Sequence, residues 1–320
     1  MGGAPPSEAP PRRAVLLMGP TGAGKSELAL HLAKQFPLEI VSADSALVYR
    51  DMDIGTAKPD RETRRAVAHH LIDIRDAAAT YSTGEFVLDA AAVMEDIWRR
   101  GRHPLIVGGT MLYFHALSAG IAALPEGDRA VRAAIDARAA QFGWAQIHRE
   151  LAAVDAEAAA RIHVNDPQRI QRALEVFELT GQPISRLQRS RVPMLAGIDV
   201  LELALSPRDR NILHARIQAR FESMLRAGFV EEVRALHKRS DLHAEHPSMR
   251  AVGYRQVWRY LDGGCSLDEA SQRAIAATRQ LAKRQLTWLR ARPQARWFDA
   301  AHPNIAASIF DALYEGGISQ

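Results

Sequence analysis

Val15-Leu16-Leu17-Met18 is an unbroken apolar run; after eight intervening residues the helix-forming run Glu27-Leu28-Ala29-Leu30-His31-Leu32-Ala33 begins. A short continuous apolar run bounded by turn residues is the pattern of a strand buried on both faces. The segment therefore predicts strand, loop, helix. The same texture predicts strands at Leu38–Ser42, Pro104–Val107 and Asp199–Leu205, with shorter ones at His70–Ile74 and Trp297–Asp299. Between them, Thr83 to Arg100 carries Phe86, Val87, Ala90, Val93, Met94 and Ile97 on one helical face. Strands alternating with helices point to an α/β protein with a parallel sheet flanked by helices.

From residue 119 to 198 the pattern changes to alanine-rich sequence with helical period and no strand signal. Helices are predicted over Asp128–Ala140, Ala145–Ala153 and Asp155–Ile162. A further helix, Gln168 to Leu179, opens on Asn165-Asp166-Pro167 and stops at Thr180-Gly181, the chemistry of an N-cap, a first-turn proline and a glycine end. Because strand texture returns at Asp199, residues 119–198 read as an all-helical lobe inserted into a core formed by 14–118 and 199–320. Long helices follow at Arg208–Ala227 and Phe229–Lys238, and Thr278–Arg290 reads as an amphipathic helix with Arg279, Lys283 and Arg290 in one sector.

Composition narrows the class. With 320 residues, 47% hydrophobic and 24% charged, the chain can bury a substantial core. Cys265 is the sole cysteine, so no intrachain disulfide can form and a reducing, cytoplasmic setting is expected. No apolar run approaches the roughly 20 residues that span a bilayer, so no membrane is expected. Residues 1–13, with Pro5, Pro6, Pro10 and Pro11, lack the apolar core of a signal peptide and read as a disordered tail. The net charge of +4 is unevenly spread. Between Gly264 and Phe298 the acids are Asp268 and Glu269, against Arg273, Arg279, Lys283, Arg284, Arg290, Arg292 and Arg296. Such a one-signed segment favours a polyanionic partner.

The chemistry centres on Gly19, Pro20, Thr21, Gly22, Ala23, Gly24, Lys25 and Ser26, which match GxxxxGK[ST] between a strand and a helix. A glycine loop entering a helix aims backbone N–H groups and the helix dipole at one point, a cradle for phosphates of a nucleotide such as ATP or of another diphosphate. Lys25 adds a point charge, and the Ser26 hydroxyl is placed to ligate Mg²⁺. Asp44, at the end of the second strand, is expected to face the same crevice, since ligands of open α/β sheets lie beyond the carboxyl ends of strands. The third strand ends in Gly108-Gly109-Thr110 where many phosphate-loop ATPases carry an acid, which counts against nucleotide hydrolysis. Lys58 could contact phosphate or be solvated, and His69 and His70 lack metal-ligand spacing and read as structural. Arg169 and Arg172 share a helix face and could grip an anion or decorate the surface. Three functions fit: a small-molecule kinase in which Asp44 serves an acceptor hydroxyl, a transferase acting on nucleic acid, and a nucleotide-gated RNA-binding module. The large insertion and the acid-poor basic segment favour the transferase.

The stretches Gly19–Ser26, Asp44-Ser45-Ala46-Leu47 through Met52–Pro59, Val107–Thr110, Arg250–Arg255 and Thr278–Gln285, in this order, resemble tRNA dimethylallyltransferases of the bacterial type. Many members carry Gln where this chain has Leu47, and the zinc-finger extension of eukaryotic members is missing. The resemblance implies a P-loop NTPase-like fold and transfer of a dimethylallyl group from dimethylallyl diphosphate to N6 of adenine 37 in the tRNA anticodon stem-loop, by a monomer. It also implies Asp44 as base, with Lys25, Ser26 through Mg²⁺, Thr110 and Arg132 stabilising the departing diphosphate. Groups implied to grip tRNA are Asp44, Ser45, Ala46 and Leu47, then Thr110, Arg132, Gln168, Arg169, Ile170, Gln171 and Arg172. To these it adds Arg250, Ala251, Val252, Gly253, Tyr254 and Arg255, then Lys283, Arg284, Gln285, Leu286, Thr287, Trp288, Leu289 and Arg290.

Overall fold

The structure, a computed structural model, describes residues 11–122 and 124–320, so the expected tail, apart from residues 11–13, lies outside the described residues. In chain order the elements begin β1 (Arg13–Met18), α1 (Lys25–Gln35), β2 (Leu38–Ala43), α2 (Arg61–Ala66) and β3 (His69–His70). Then come α3 (Thr83–Arg99), β4 (His103–Gly108), α4 (Met111–Ala119), α5 (Arg129–Phe142), α6 (Trp144–Val154), α7 (Ala156–Arg161), α8 (Pro167–Thr180) and α9 (Ile184–Leu187). The chain closes with β5 (Asp199–Ser206), α10 (Arg210–Arg226), α11 (Phe229–His237), α12 (Tyr254–Leu261), α13 (Leu267–Arg290), β6 (Arg296–Asp299) and α14 (Ile305–Glu315).

The six strands form one sheet in the order β3-β2-β4-β1-β5-β6, with parallel pairing throughout. Residues Ala14 to Met18 of β1 are fully buried, as an interior parallel strand requires. One core is built from β1, β4 and β5 against α1 and α14, with Leu17, Leu105 and Leu203 meeting Leu28, Leu32, Ile309 and Leu313. In a second core, Val48 and Met52 meet Phe221, Phe229, Val233, Tyr254 and Trp258 from α10, α11 and α12. The placement of β4 between β1 and β2 matters for function. It brings the ends of the three strands side by side, so the glycine loop, Asp44 and Gly108–Thr110 converge. The approach is close enough that a Cβ on Gly108 would lie 2.1 Å from the Ala43 carbonyl oxygen.

Two expectations need correction. The strand expected over His70–Ile74 pairs only at His69–His70, because Leu71 and Asp73 turn the backbone into the left-handed region (φ 61° and 59°) and end the ladder. His69 bonds the Val67 carbonyl and His70 the Glu39 carboxylate, structural roles as expected. Several helices also went unseen in the sequence, among them α4, which buries Met111, Tyr113, Phe114, Ala116 and Leu117 and so has no polar face to set a period.

The chain divides into two compact units, the second being Ala116–Ala196 where 119–198 was expected. Its helices enclose their own core of Ile135, Ile147, Leu151, Ile170 and Leu174. An isolated antiparallel bridge, Ile121 to Val192, joins its two ends. Among the described residues, no helix is long and apolar enough to cross a membrane.

Candidate active site

The glycine loop has the shape its spacing predicts. Gly22 and Gly24 hold φ of 82° and 90°, open to glycine at little steric cost, and α1 starts at Lys25. The first-turn amides of α1 have no carbonyl one turn back, which leaves them for an anion. Lys25 Nζ donates to the Pro20 carbonyl (2.8 Å). Burial pulls its pKa down to about 8, with the Asp44 carboxylate opposing and the Arg220 cation adding to the fall. Across the loop, Gln285 of α13 accepts from the Thr21 amide and donates to the Gly109 carbonyl, both at 2.9 Å. One buried side chain thus ties the ends of β1 and β4 together.

Asp44 stands just beyond β2, half-buried, its Oδ1 accepting from the Ala46 amide (2.8 Å). Thr110 is beside it: its amide donates to the Ala43 carbonyl (3.2 Å) and its Oγ1 accepts from the Ser45 amide (3.1 Å). Arg220 reaches in from α10 and donates to the Thr56 carbonyl (3.1 Å). Burial lowers its pKa while Asp44 opposes the fall, and guanidinium basicity keeps it a cation.

Two cavities meet here. A smaller one of about 310 Å³ is lined by the glycine loop, Lys25, Ser26, Ser42 and Leu47. A larger one of about 460 Å³ is lined by Thr110, Arg250, Val252, Arg284 and Trp288. Thr21, Asp44, Thr56, Gly109, Arg220 and Gln285 belong to the walls of both. Asp44 therefore stands where the glycine-loop cavity opens into a wider basic and aromatic one.

Other expected residues divide by exposure. On α13, Lys283, Arg284, Thr287, Trp288 and Arg290 face outward, whereas Gln285 and Leu289 are buried and Leu286 packs with Leu213 and Ile217. Arg250 and Arg255 are exposed, but Tyr254 is fully buried and donates its hydroxyl to Glu232 (2.6 Å). Tyr254 and Gln285 bond within the fold while also lining the larger cavity, and Leu289 is turned wholly to the interior, which corrects direct RNA contact by its side chain. The same holds for Ile170, fully buried in the helical unit.

In that unit Gln168 and Arg169 are exposed, while Gln171 donates to Asp136 (2.6 Å). Arg132 and Arg172 both bond the buried Glu175 carboxylate, at 2.7 Å and 2.6 Å. Burial works against the charge of Glu175, but these two guanidiniums outweigh it and hold the carboxyl below its ordinary value. Lys58 is neither solvated nor free for phosphate: its buried ammonium donates to the Tyr49 carbonyl, Asp53 and Asp73. Arg220 escaped the sequence reading because nothing local separates it from Arg210, Arg216 and Arg226 on the same helix.

Known proteins carry the same architecture. A family model described as IPP transferase matches residues 47–292, and one described as isopentenyl transferase matches residues 12–79. The tRNA dimethylallyltransferase of Burkholderia cenocepacia is 53% identical over 310 residues, covering 96% of each chain. The chain belongs to the tRNA dimethylallyltransferase family. A solved tRNA isopentenylpyrophosphate transferase of the family, from Bacillus halodurans, is 34% identical over 96% of this chain and 98% of that one, with a TM-score of 0.69. A eukaryotic dimethylallyltransferase acting on tRNA superposes with a TM-score of 0.81 at 26% identity, covering 97% of this chain and 81% of that one. The P-loop NTPase-like fold is common to the family.

Proposed function

We propose that the protein transfers the dimethylallyl group of dimethylallyl diphosphate to N6 of adenine 37 of tRNA and releases diphosphate. One observation carries this reading: Asp44 and Arg220 are walls of both the phosphate compartment and the wider basic one. Donor and acceptor entering from the two compartments would meet at Asp44.

In the reaction the exocyclic amine attacks the allylic carbon, the C–O bond breaks, and diphosphate leaves with the electron pair. An amine conjugated into adenine is a poor nucleophile, so its proton must pass to a base as the C–N bond forms; Asp44 takes it. Lys25, the amides of the glycine loop and Arg220 stabilise the charge developing on the leaving group, each such donor being worth about 3 kcal/mol in other enzymes. Arg132 is held in its own unit by Glu175, and a role on the diphosphate would need it to leave that carboxylate. Thr110 orients the turn that carries Asp44 through the Ser45 amide. Adenine 37 must leave its stack to reach Asp44, and the exposed Arg250, Lys283, Arg284 and Arg290 supply phosphate contacts that hold the stem meanwhile.

Mg²⁺ takes oxygen ligands and keeps several waters. The Ser26 hydroxyl lining the smaller cavity fits such an ion if diphosphate and water complete its shell; among the described residues no group of three His, Cys, Asp or Glu could hold a metal without them. When bound, Mg²⁺ would offset charge on the diphosphate. In this reading the protein works as a monomer in the cytoplasm.

Incubation with dimethylallyl diphosphate, Mg²⁺ and unmodified tRNA should add one dimethylallyl group to adenosine by mass spectrometry. Transfer of γ-phosphate from ATP to a small molecule, with the RNA unchanged, would overturn the reading in favour of a kinase.

A further inference from the structure

The backbone amides of Asp53, Ile54 and Gly55 all point at one carboxylate, that of Glu232 in the first turn of α11, at 2.8, 2.6 and 3.1 Å. Successive N–H groups of this kind form an anion-binding nest. Here the anion is the protein's own. Glu232 Oε1 also accepts from the hydroxyl of Tyr254. Gly55 is wedged between these elements, since a Cβ on it would lie 2.1 Å from the Phe229 ring and 2.6 Å from that of Tyr254. The next residue, Thr56, lines both cavities, and its carbonyl receives the Arg220 guanidinium.

We propose that Glu232 is a positioning residue for the transfer. By filling the nest it fixes the Thr56 carbonyl, and through that carbonyl it sets where the half-buried Arg220 guanidinium stands beside Asp44. Through Tyr254 the same carboxylate joins this arrangement to the Arg250–Arg255 segment on the wall of the larger cavity. The assignment of Arg220 to the diphosphate rests on the function proposed above.

The test is pyrophosphate binding by the full chain with Mg²⁺, measured by calorimetry for wild type, Arg220→Ala, Glu232→Gln, Tyr254→Phe and the Arg220→Ala/Glu232→Gln double variant. An amide in the nest would turn N–H groups toward N–H groups, so Glu232→Gln should weaken pyrophosphate about tenfold, with circular dichroism unchanged. If Glu232 acts through Arg220, the double variant binds no more weakly than Arg220→Ala alone; additive losses overturn the proposal. In steady-state assays Glu232→Gln should lower kcat and raise KM for dimethylallyl diphosphate while KM for tRNA stays within about twofold. A change confined to KM for tRNA overturns it. Should Glu232→Gln fail to fold, Tyr254→Phe carries the test, with pyrophosphate weakened about threefold expected and unchanged affinity fatal to the proposal. Pyrophosphate binding needs no RNA, so a wild type that binds it yet leaves tRNA unmodified removes the assigned reaction and leaves the Glu232 result readable.

Discussion

Residues 19–26 and 53–58 are both polar, glycine-bearing loops that present backbone amides and end in a lysine or run close to one, yet they serve opposite ends. The first lines a cavity with Thr21, Gly22, Gly24 and Ser26, and Lys25 donates to a neutral carbonyl. The second has its amides filled by Glu232, and Lys58 is paired with two carboxylates. The difference teaches how to tell a ligand site from a brace. A desolvated cation without a close counter-ion is held ready for an anion that arrives from outside, whereas one paired twice within the fold has no such vacancy. The brace also carries strain that its anchors must hold, with Ala57 at φ 53°.

The sharpest way to break this comparison is at the point where the open loop delivers its ligand. Asp44→Ala should cut transfer by about 10²- to 10⁴-fold while tRNA binding, followed by gel shift, stays within about twofold. Wild-type turnover in that variant would remove Asp44 as the base. Lys25→Ala should cost roughly 100-fold in transfer with little change in melting temperature. Lys58→Met should instead lose stability, on the order of 3 kcal/mol in urea unfolding, because it strands carboxylates that were paired. If Lys25→Ala unfolds the protein and Lys58→Met merely slows it, the two loops have been read the wrong way round.

Proton linkage separates them further. Lys25 keeps its proton below about pH 8, so pyrophosphate affinity should bend downward as pH rises through about 8 rather than near the ordinary lysine value of 10.5. A flat profile up to pH 10 would exclude Lys25 as the charge that binds. Asp73 behaves in the opposite sense. Burial opposes its charge, but the bonds from Lys58 and Arg64 prevail and hold its carboxyl below 3.8. Its contribution to stability is present above that value and lost as pH falls through the lowered one, so the gap between wild type and Lys58→Met should close in acid. The smallest effect is expected on the outer face of α13, where Lys283→Ala should weaken tRNA about uniformly and reduce the salt slope by about one.

Much of the fold could be read directly from the chain. Apolar-rich runs, continuous in β1 and broken by a buried Glu39 in β2 and Glu202 in β5, located β1, β2, β4 and β5 to within a residue or two, because a buried parallel strand needs mostly apolar side chains on both faces. The glycine loop was equally plain, since its chemistry depends on neighbours along the chain. What stayed hidden was α4, which has no polar face, and α14, whose Phe310 meets the Phe36 ring edge-on at 5.0 Å and so closes the sheet's flank from the far end of the sequence. A helix of this sort is recognisable only once its partner surface is known.

The sequence by itself determined the glycine loop between strand and helix, the alternation of strands and helices, the helical insertion and the basic character of residues 264–298, all of which follow from spacing and composition within short windows. Only the tertiary structure decided that Gln285 clamps two strand ends, that Arg220 joins Asp44 between the cavities, and that Glu232 fills a nest 177 residues away in sequence from Gly55. The reason is physical: a polar side chain's role depends on which partner reaches it, and for these residues the partner comes from a distant segment whose approach is set by strand order and helix packing.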